Sequence, residues 1–371
     1  MAVRGVRLRN LQMPLRYEDD LRMFKSRPSR LALLAVLVVG VLLPLSIKDD
    51  FWLSVLDYAG IAAIGAIGLN LLTGYTGQVS LGHAFFIGIG AYCAVWFGGT
   101  QGLPLPVWLL AAALVGGAVG AVIGPFALRL RGNYLAVVSL GLVFVGLHVF
   151  RSWTSVTGGP GGTSVKAPLK LGPIDFAHLE IGNRLYTRNQ GFFLLVWGLV
   201  AIVALLAKNV ARSRPGRAMQ AVRDRDVAAE VIGVSMFRTK VGAFVISSAL
   251  AAMAGALFGA YQQFVEPNGF DLSISIQYIA IIIVGGVGTI FGSILGAIFI
   301  GAVPQIVDRY SKDIPFIAKT ASGSGFHLTV FQLNQIIFGA LIVVFLVLEP
   351  RGLAAVWLRI KAYFKAWPFS Y

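Results

Sequence analysis

Charged side chains are scarce in this chain of 371 residues: 13% are Asp, Glu, Lys or Arg, where soluble domains carry about a quarter. With 57% hydrophobic residues, the deficit excludes a soluble fold and points to an all-α polytopic membrane protein. Acidic residues are rarest, 16 against 31 basic ones, leaving a net charge of +15. In a soluble protein that balance would suggest nucleic acid. In a membrane protein it reflects Lys and Arg collecting in cytoplasmic loops, so no nucleic-acid partner is expected. Cysteine is limited to Cys93, within an apolar run, so no internal disulfide supports the fold and the thiol reads as a small buried hydrophobe.

Catalytic and energising motifs are missing as well. No Gly-Lys pair occurs, so the phosphate-cradling pattern of ATPases is excluded and no cofactor is expected in this chain. The four histidines lack metal-ligand spacing, no G-x-S-x-G elbow is present, and no metal site or enzyme activity is expected. Apart from Asp57, no charged residue falls inside an apolar span, whereas ion-coupled carriers usually keep intramembrane carboxylates. The driving energy then comes from another subunit, or the protein is a passive pore.

What the chain does have is a glycine-rich interruption, Gly74 to Gly90, carrying Tyr75, Thr76, Gln78, Ser80 and His83 but no charge. At membrane depth, irregular backbone is tolerated only against protein or a cavity, and broken helices commonly mark transport pathways. Around it the apolar runs predict ten spans: Leu31–Ile47, Phe51–Leu72, Ala84–Phe97, Leu105–Ala127, Tyr134–Phe150, Gly191–Ala207, Val241–Tyr261, Ile276–Val284, Gly292–Val307 and Gln332–Leu348. The transmembrane domain is 31–348, after a basic cytoplasmic segment 1–30 and before a cytoplasmic tail 349–371. Residues 46–50 offer no cleavage site, so the first span is expected to remain.

With both termini inside, segments 1–30, 128–133, 208–240 and 349–371 are cytoplasmic and hold most of the basic residues, as the positive-inside rule requires. A weak self-resemblance sets Gly74, Gly77, Gly90 and Ala91 against Gly285, Gly288, Gly301 and Ala302, each 211 positions later (74 to 285). It predicts two inverted five-helix halves.

The basic loop 208–240 predicts one helix over Arg217–Ile232, after Pro215-Gly216 and before Gly233. Ala218, Val222, Ala229 and Ile232 share a face that Arg225 interrupts. Such a helix suits docking into a partner's groove; the alternative is a helix lying on anionic membrane lipid.

Several stretches carry a family resemblance: Asn70 to Ala84, the Leu-Arg-Gly-Asn-Tyr-Leu-Ala run from Leu130, Gly216 to Asp224, Ala228-Ala229-Glu230 with Gly233, the Gly-Gly-Val-Gly-Thr run from Gly285, and the Glu-Pro-Arg-Gly-Leu run from Glu349. Over residues 50–310 and 332–353 the chain resembles permease subunit M of branched-chain amino acid ABC importers; permeases of urea and short-chain amide importers look similar. The resemblance implies a bacterial inner-membrane importer subunit working with a second, homologous permease, two cytoplasmic ATPase subunits that bind ATP, and an extracytoplasmic binding protein. Ala228, Ala229, Glu230 and Gly233 match the loop motif that engages the ATPases, with Arg217, Arg223 and Asp224 in the run before it. Residues 1–30, 308–331 and the aromatic tail Tyr363–Tyr371 depart from the pattern, and no role is inferred for 1–30, 308–331 or 354–371.

Asn70, Tyr75, Gln78, Ser80 and His83 are the candidates for lining the pathway. The competing reading has the polar ones satisfying carbonyls freed at the helix break, Asn70 capping a helix end and Tyr75 as a packed ring. Gly74, Gly77, Gly82, Gly285 and Gly288 are read as helix-break residues that permit close approach. A self-contained channel or facilitator is the reading from another class.

Overall fold

Apart from isolated positions before Asp49, the computed structural model describes residues 49–127, 134–181, 184–310, 317–318, 328–349 and 351–366. The basic segment 1–30, nearly all of the span Leu31–Ile47, the loop 128–133, most of 308–331 and the last residues of the tail lie outside the described residues.

Helix α1, Asp50–Thr76, is the hub. Asp49 opens it by accepting a hydrogen bond from the Phe51 amide, and Gly77 closes it in the left-handed conformation at φ 72°, where a side chain would be strained. Its 27 residues give a length of about 40 Å, enough to cross a bilayer. Most of it is buried, including Asp57 and Asn70.

Helix α2, His83–Cys93, runs directly into a π-helical turn, Ala94–Thr100. Then come α3, Leu105–Ala127, and α4, Tyr134–Ser152. The polar connection after α4 does not cross. It forms short hairpins, and Thr163–Ser164 pairs antiparallel with Phe264–Val265. A capping box of Thr187 and Gln190 starts α5, Arg188–Arg212.

The basic loop departs from the expected single helix over 217–232. It forms α6, Arg214–Asp224, and α7, Asp226–Val231, separated by Arg225 in an extended conformation (φ −155°, ψ 104°). Helix α8, Met236–Gln262, follows, then the short α9, Leu272–Gly285, and after a glycine turn α10, Ile290–Tyr310. Another capping box, Thr329 with Gln332, starts α11, Val330–Leu348, and α12, Gly352–Ala366, is bent from it by 44°.

Among the described residues, seven helices are long and apolar enough to cross a membrane, or eight if the bent pair α11–α12 is one span. They correspond to the expected spans two to seven, nine and ten. The eighth expected span is α9, whose 14 residues reach only about 21 Å, short of the roughly 30 Å hydrocarbon core.

Packing is arranged around α8 and α1. Helix α8 lies along α1, α2 and α3, while α1 also lies along α5 and α10. Small residues bring the backbones together: a Cβ at Gly90 would sit 1.8 Å from the Ala252 carbonyl oxygen, and one at Gly255 would sit 1.9 Å from that of Ile87. Close approach of this kind is how membrane helices gain dispersion contacts without a hydrophobic drive.

Candidate pathway and coupling site

The helix break after α1 meets the break between α9 and α10. The left-handed Gly77 ends α1, and Gly286 (φ 121°) and Gly288 (φ 80°) turn the chain between α9 and α10. These turns expose backbone groups that water would satisfy outside a membrane. Here Asn70 satisfies them. Its Oδ1 accepts from the Gly288 amide (2.7 Å), and its Nδ2 donates to the Thr289 carbonyl (2.9 Å) and to Ser293 Oγ (2.7 Å). A Cβ at Gly74 would lie 2.4 Å from the Gly288 nitrogen, so only glycine permits this approach. The two glycine breaks that the offset of 211 positions relates therefore meet in space, though out of register, Gly74 of the first lying against Gly288 of the second.

A third element closes the seam. Arg223, next to last in α6, donates through Nη1 to the Gly74 carbonyl at 2.6 Å. Its side chain also covers Gly77, where an added Cβ would meet Arg223 Cγ at 3.2 Å. Asp224 pairs with Arg223 Nε at 3.3 Å.

The remaining sequence candidates distribute around this seam. Tyr75 is partly buried against the core. Gln78 is buried, its Oε1 has no hydrogen-bond partner, and it lines a cavity of about 260 Å³ with Arg223, Arg225, Asp226 and Lys240. Ser80 is buried and its Oγ accepts from the Gly82 amide at 3.3 Å. His83 is buried at the start of α2, bonds the backbone of Gly65 and lies 4.8 Å, ring to ring, from Tyr278 of α9. A Cβ at Gly65 would strike that Tyr278 ring at 2.5 Å, so the glycine makes room for the pair.

The expected ATPase-coupling residues fall into two groups. Arg223 and Asp224 sit at the seam, while Ala228, Ala229, Glu230 and Gly233 lie on α7 and the turn after it. Arg217 is exposed and donates to the Arg212 carbonyl at 2.8 Å. The face expected to unite Ala218, Val222, Ala229 and Ile232 does not form. Because the helix breaks at Arg225, Val222 and Ala229 turn inward with Met219, whereas Ile232 turns out. Val227, Val231 and Ile232, 71%, 82% and 75% exposed, make an apolar tip that the helical reading had not gathered. At the far end of α1, Asp57 is fully buried with neither carboxylate oxygen hydrogen-bonded, within electrostatic reach of Arg188. No group of three potential metal ligands occurs among the described residues.

A buried seam of broken helices within a set of long apolar helices, joined to an exposed loop with an apolar tip, defines a polytopic membrane protein. The chain belongs to the family of branched-chain amino acid transport system permease components, whose model matches residues 51–346. It is 30% identical over 337 residues to the high-affinity branched-chain amino acid transport system permease protein LivM of Salmonella typhimurium, covering 87% of this chain and 74% of the relative. The LivM protein of Escherichia coli matches with the same identity and coverage. A probable branched-chain amino acid transport permease protein LivH of Methanocaldococcus jannaschii is 24% identical over 310 residues, 82% of this chain and 92% of the relative. No solved structure matches. The chain is thus a multi-pass membrane permease, and its relatives are transport proteins, not enzymes.

Proposed function

We propose that this permease forms half of the translocation pathway of an ATP-powered importer for branched-chain amino acids in a bacterial inner membrane. A second homologous permease supplies the other half, two cytoplasmic ATPase subunits bind and hydrolyse ATP, and an extracytoplasmic binding protein delivers the substrate. The relatives named for branched-chain amino acid transport support the substrate class. The carrying observation for the mechanism is the hydrogen bond from Arg223 to Gly74, which ties the cytoplasmic loop to the glycine breaks.

In this reading the chain makes ten passes in two inverted halves, with both termini in the cytoplasm and the short α9 counted as a pass although its helix covers only part of the hydrocarbon core. The contact of Gly74 with Gly288 supports the halves, because it pairs the two related breaks. The tip Val227, Val231, Ile232 docks on an ATPase subunit, with Glu230 and Gly233 beside it. When the ATPases close on ATP, α6 and α7 move, Arg223 pulls on the end of α1, and the angle between α1 and α9–α10 changes. Asn70, Tyr75, Gln78, Ser80 and His83 act at that changing joint. A pathway with so few fixed charges leaves selectivity mainly to the binding protein.

The test is reconstitution of the chain with its second permease, ATPases and binding protein in proteoliposomes. ATP-dependent accumulation of L-leucine, abolished by Glu230→Arg, is the expected result. Accumulation of urea in place of leucine overturns the substrate class, and transport by the purified chain alone overturns the importer.

A further inference from the structure

The helix α9 that ends at the seam begins at a second cavity, of about 220 Å³, at the opposite end of the helix bundle from Arg223. We infer that this cavity is a waypoint for a zwitterionic amino acid with an apolar side chain, entered from the binding-protein side before the seam opens. The inference rests on the importer reading above.

The size suits a small solute and not a peptide, since pockets for drug-sized ligands begin at about 300 Å³. Its lining contains no Lys or Arg. Asp271 supplies the one carboxylate, Gln277, Asn334 and Gln335 supply amides, and Ile274 and Phe338 supply apolar wall. The carboxylate favours an ammonium group; the amides, with Asn268 of the same lining held by Arg151 Nη2 at 2.6 Å, can serve a carboxylate, and the wall an aliphatic side chain.

Part of this rim is held in place by its own bonds. Asp271 caps α9, accepting from the Ser273 amide (2.9 Å) and hydroxyl (3.0 Å), and Gln335 Nε2 donates to Ser273 Oγ at 2.6 Å. Asn334 differs: its Oδ1 is shut off from solvent and has no hydrogen-bond partner. A covered acceptor without a donor is costly, so the Asn334 amide gains by turning its Oδ1 toward an N–H in the cavity it lines.

The position of the cavity gives the waypoint a consequence. Helix α9 is too short to cross alone, so at least one of its ends lies within membrane depth, where the ends of broken helices commonly meet substrate. Its far end leads into the turn that Asn70 and Arg223 hold. One short helix therefore carries the solute contact at one end and the moving joint at the other.

Two readouts on the assembled complex separate this inference from the importer reading. In the first, Gly269→Cys, on the cavity rim where an added Cβ meets nothing nearer than 4.0 Å, is labelled with a membrane-impermeant thiol reagent, the native Cys93 being buried. L-Leucine at ten times its apparent Kd is expected to slow labelling about tenfold by mass action, and urea to leave it unchanged. In the second, Asn334→Leu is expected to lower ATP-dependent leucine uptake about tenfold, the loss of one polar contact, with assembly and binding-protein-stimulated ATP hydrolysis retained. Labelling indifferent to leucine, with leucine import intact in the parent complex, overturns the waypoint and leaves the importer standing. Protection by leucine in a complex that does not import it overturns the importer and leaves the cavity a leucine site. Protection by urea instead overturns the assigned ligand class.

Discussion

The guanidinium of Arg223 lies 2.6 Å from the carbonyl oxygen of Gly74, across 149 residues of sequence. One partner belongs to a helix in the basic loop, the other to the last turn of α1, most of which is buried. Motion of the loop must either move the end of α1 or break this bond.

Replacing Arg223 with Gln is expected to uncouple the importer. The side chain is 43% exposed, so the cost to folding stays at about 1 kcal/mol or less. ATP hydrolysis by the assembled complex should persist while leucine uptake falls about tenfold, and Arg223→Lys should recover part of it, keeping the charge but not the fork geometry. Parallel loss of hydrolysis and uptake would instead mean that the residue acts in assembly.

Asn70→Ala is expected to be severe. The change strands the Gly288 amide and withdraws a donor from Thr289 and Ser293 in a buried setting. The Thr289 carbonyl keeps the Ser293 amide at 3.1 Å, so the Gly288 amide is the group left unsatisfied, at a cost of about 1–3 kcal/mol. A fall of several degrees in the melting temperature of the purified protein checks this; an unchanged value refutes the clasp.

Gly90→Ala and Gly255→Ala should fail to give folded protein, or give far less. Each new Cβ would come within 2 Å of a backbone carbonyl on a facing helix, and backbone cannot give way as a side-chain end can. Gly198→Ala, where nothing lies within 4 Å of the added carbon, is the control and should be recovered at normal yield. Size-exclusion profiles of the three variants decide the matter.

Val231→Asp combined with Ile232→Asp should leave the permease folded, since both side chains face outward. Loss of an apolar anchor of this kind typically costs 2 kcal/mol or more in binding. ATPase subunits should then be lost from the affinity-purified complex. Their full retention would remove the tip from the docking surface.

The end of α1 was readable in advance because Gly74 and Gly77 interrupt an apolar run that has no other reason to stop. The glycine turn after α9 was readable on the same ground. The break at Arg225 was not: Asp224, Arg225 and Asp226 include neither Gly nor Pro, and local propensity alone continues the helix there. Nor could the sequence announce that Asn70 reaches Gly288, because contacts between distant residues leave no periodic trace. Gly74 and Gly288 carried half the signal, since small residues at both breaks permit a close crossing without naming the partner. Whether Gln78 faced solvent, solute or protein depended on what packs over it.

The contacts of Gly90 with Ala252 and of Gly255 with Ile87 also set an order of events during synthesis. Helix α2 leaves the ribosome with its principal partner still on the order of 160 residues away, a wait of about 8 to 30 s at 5–20 residues per second. Throughout that interval its glycine-lined groove faces lipid or a chaperone of the insertion machinery, and the nascent chain carries an unfilled slot shaped for α8. Arrest of translation before Met236 would therefore yield an inserted but unassembled intermediate, and one susceptible to membrane quality-control proteolysis.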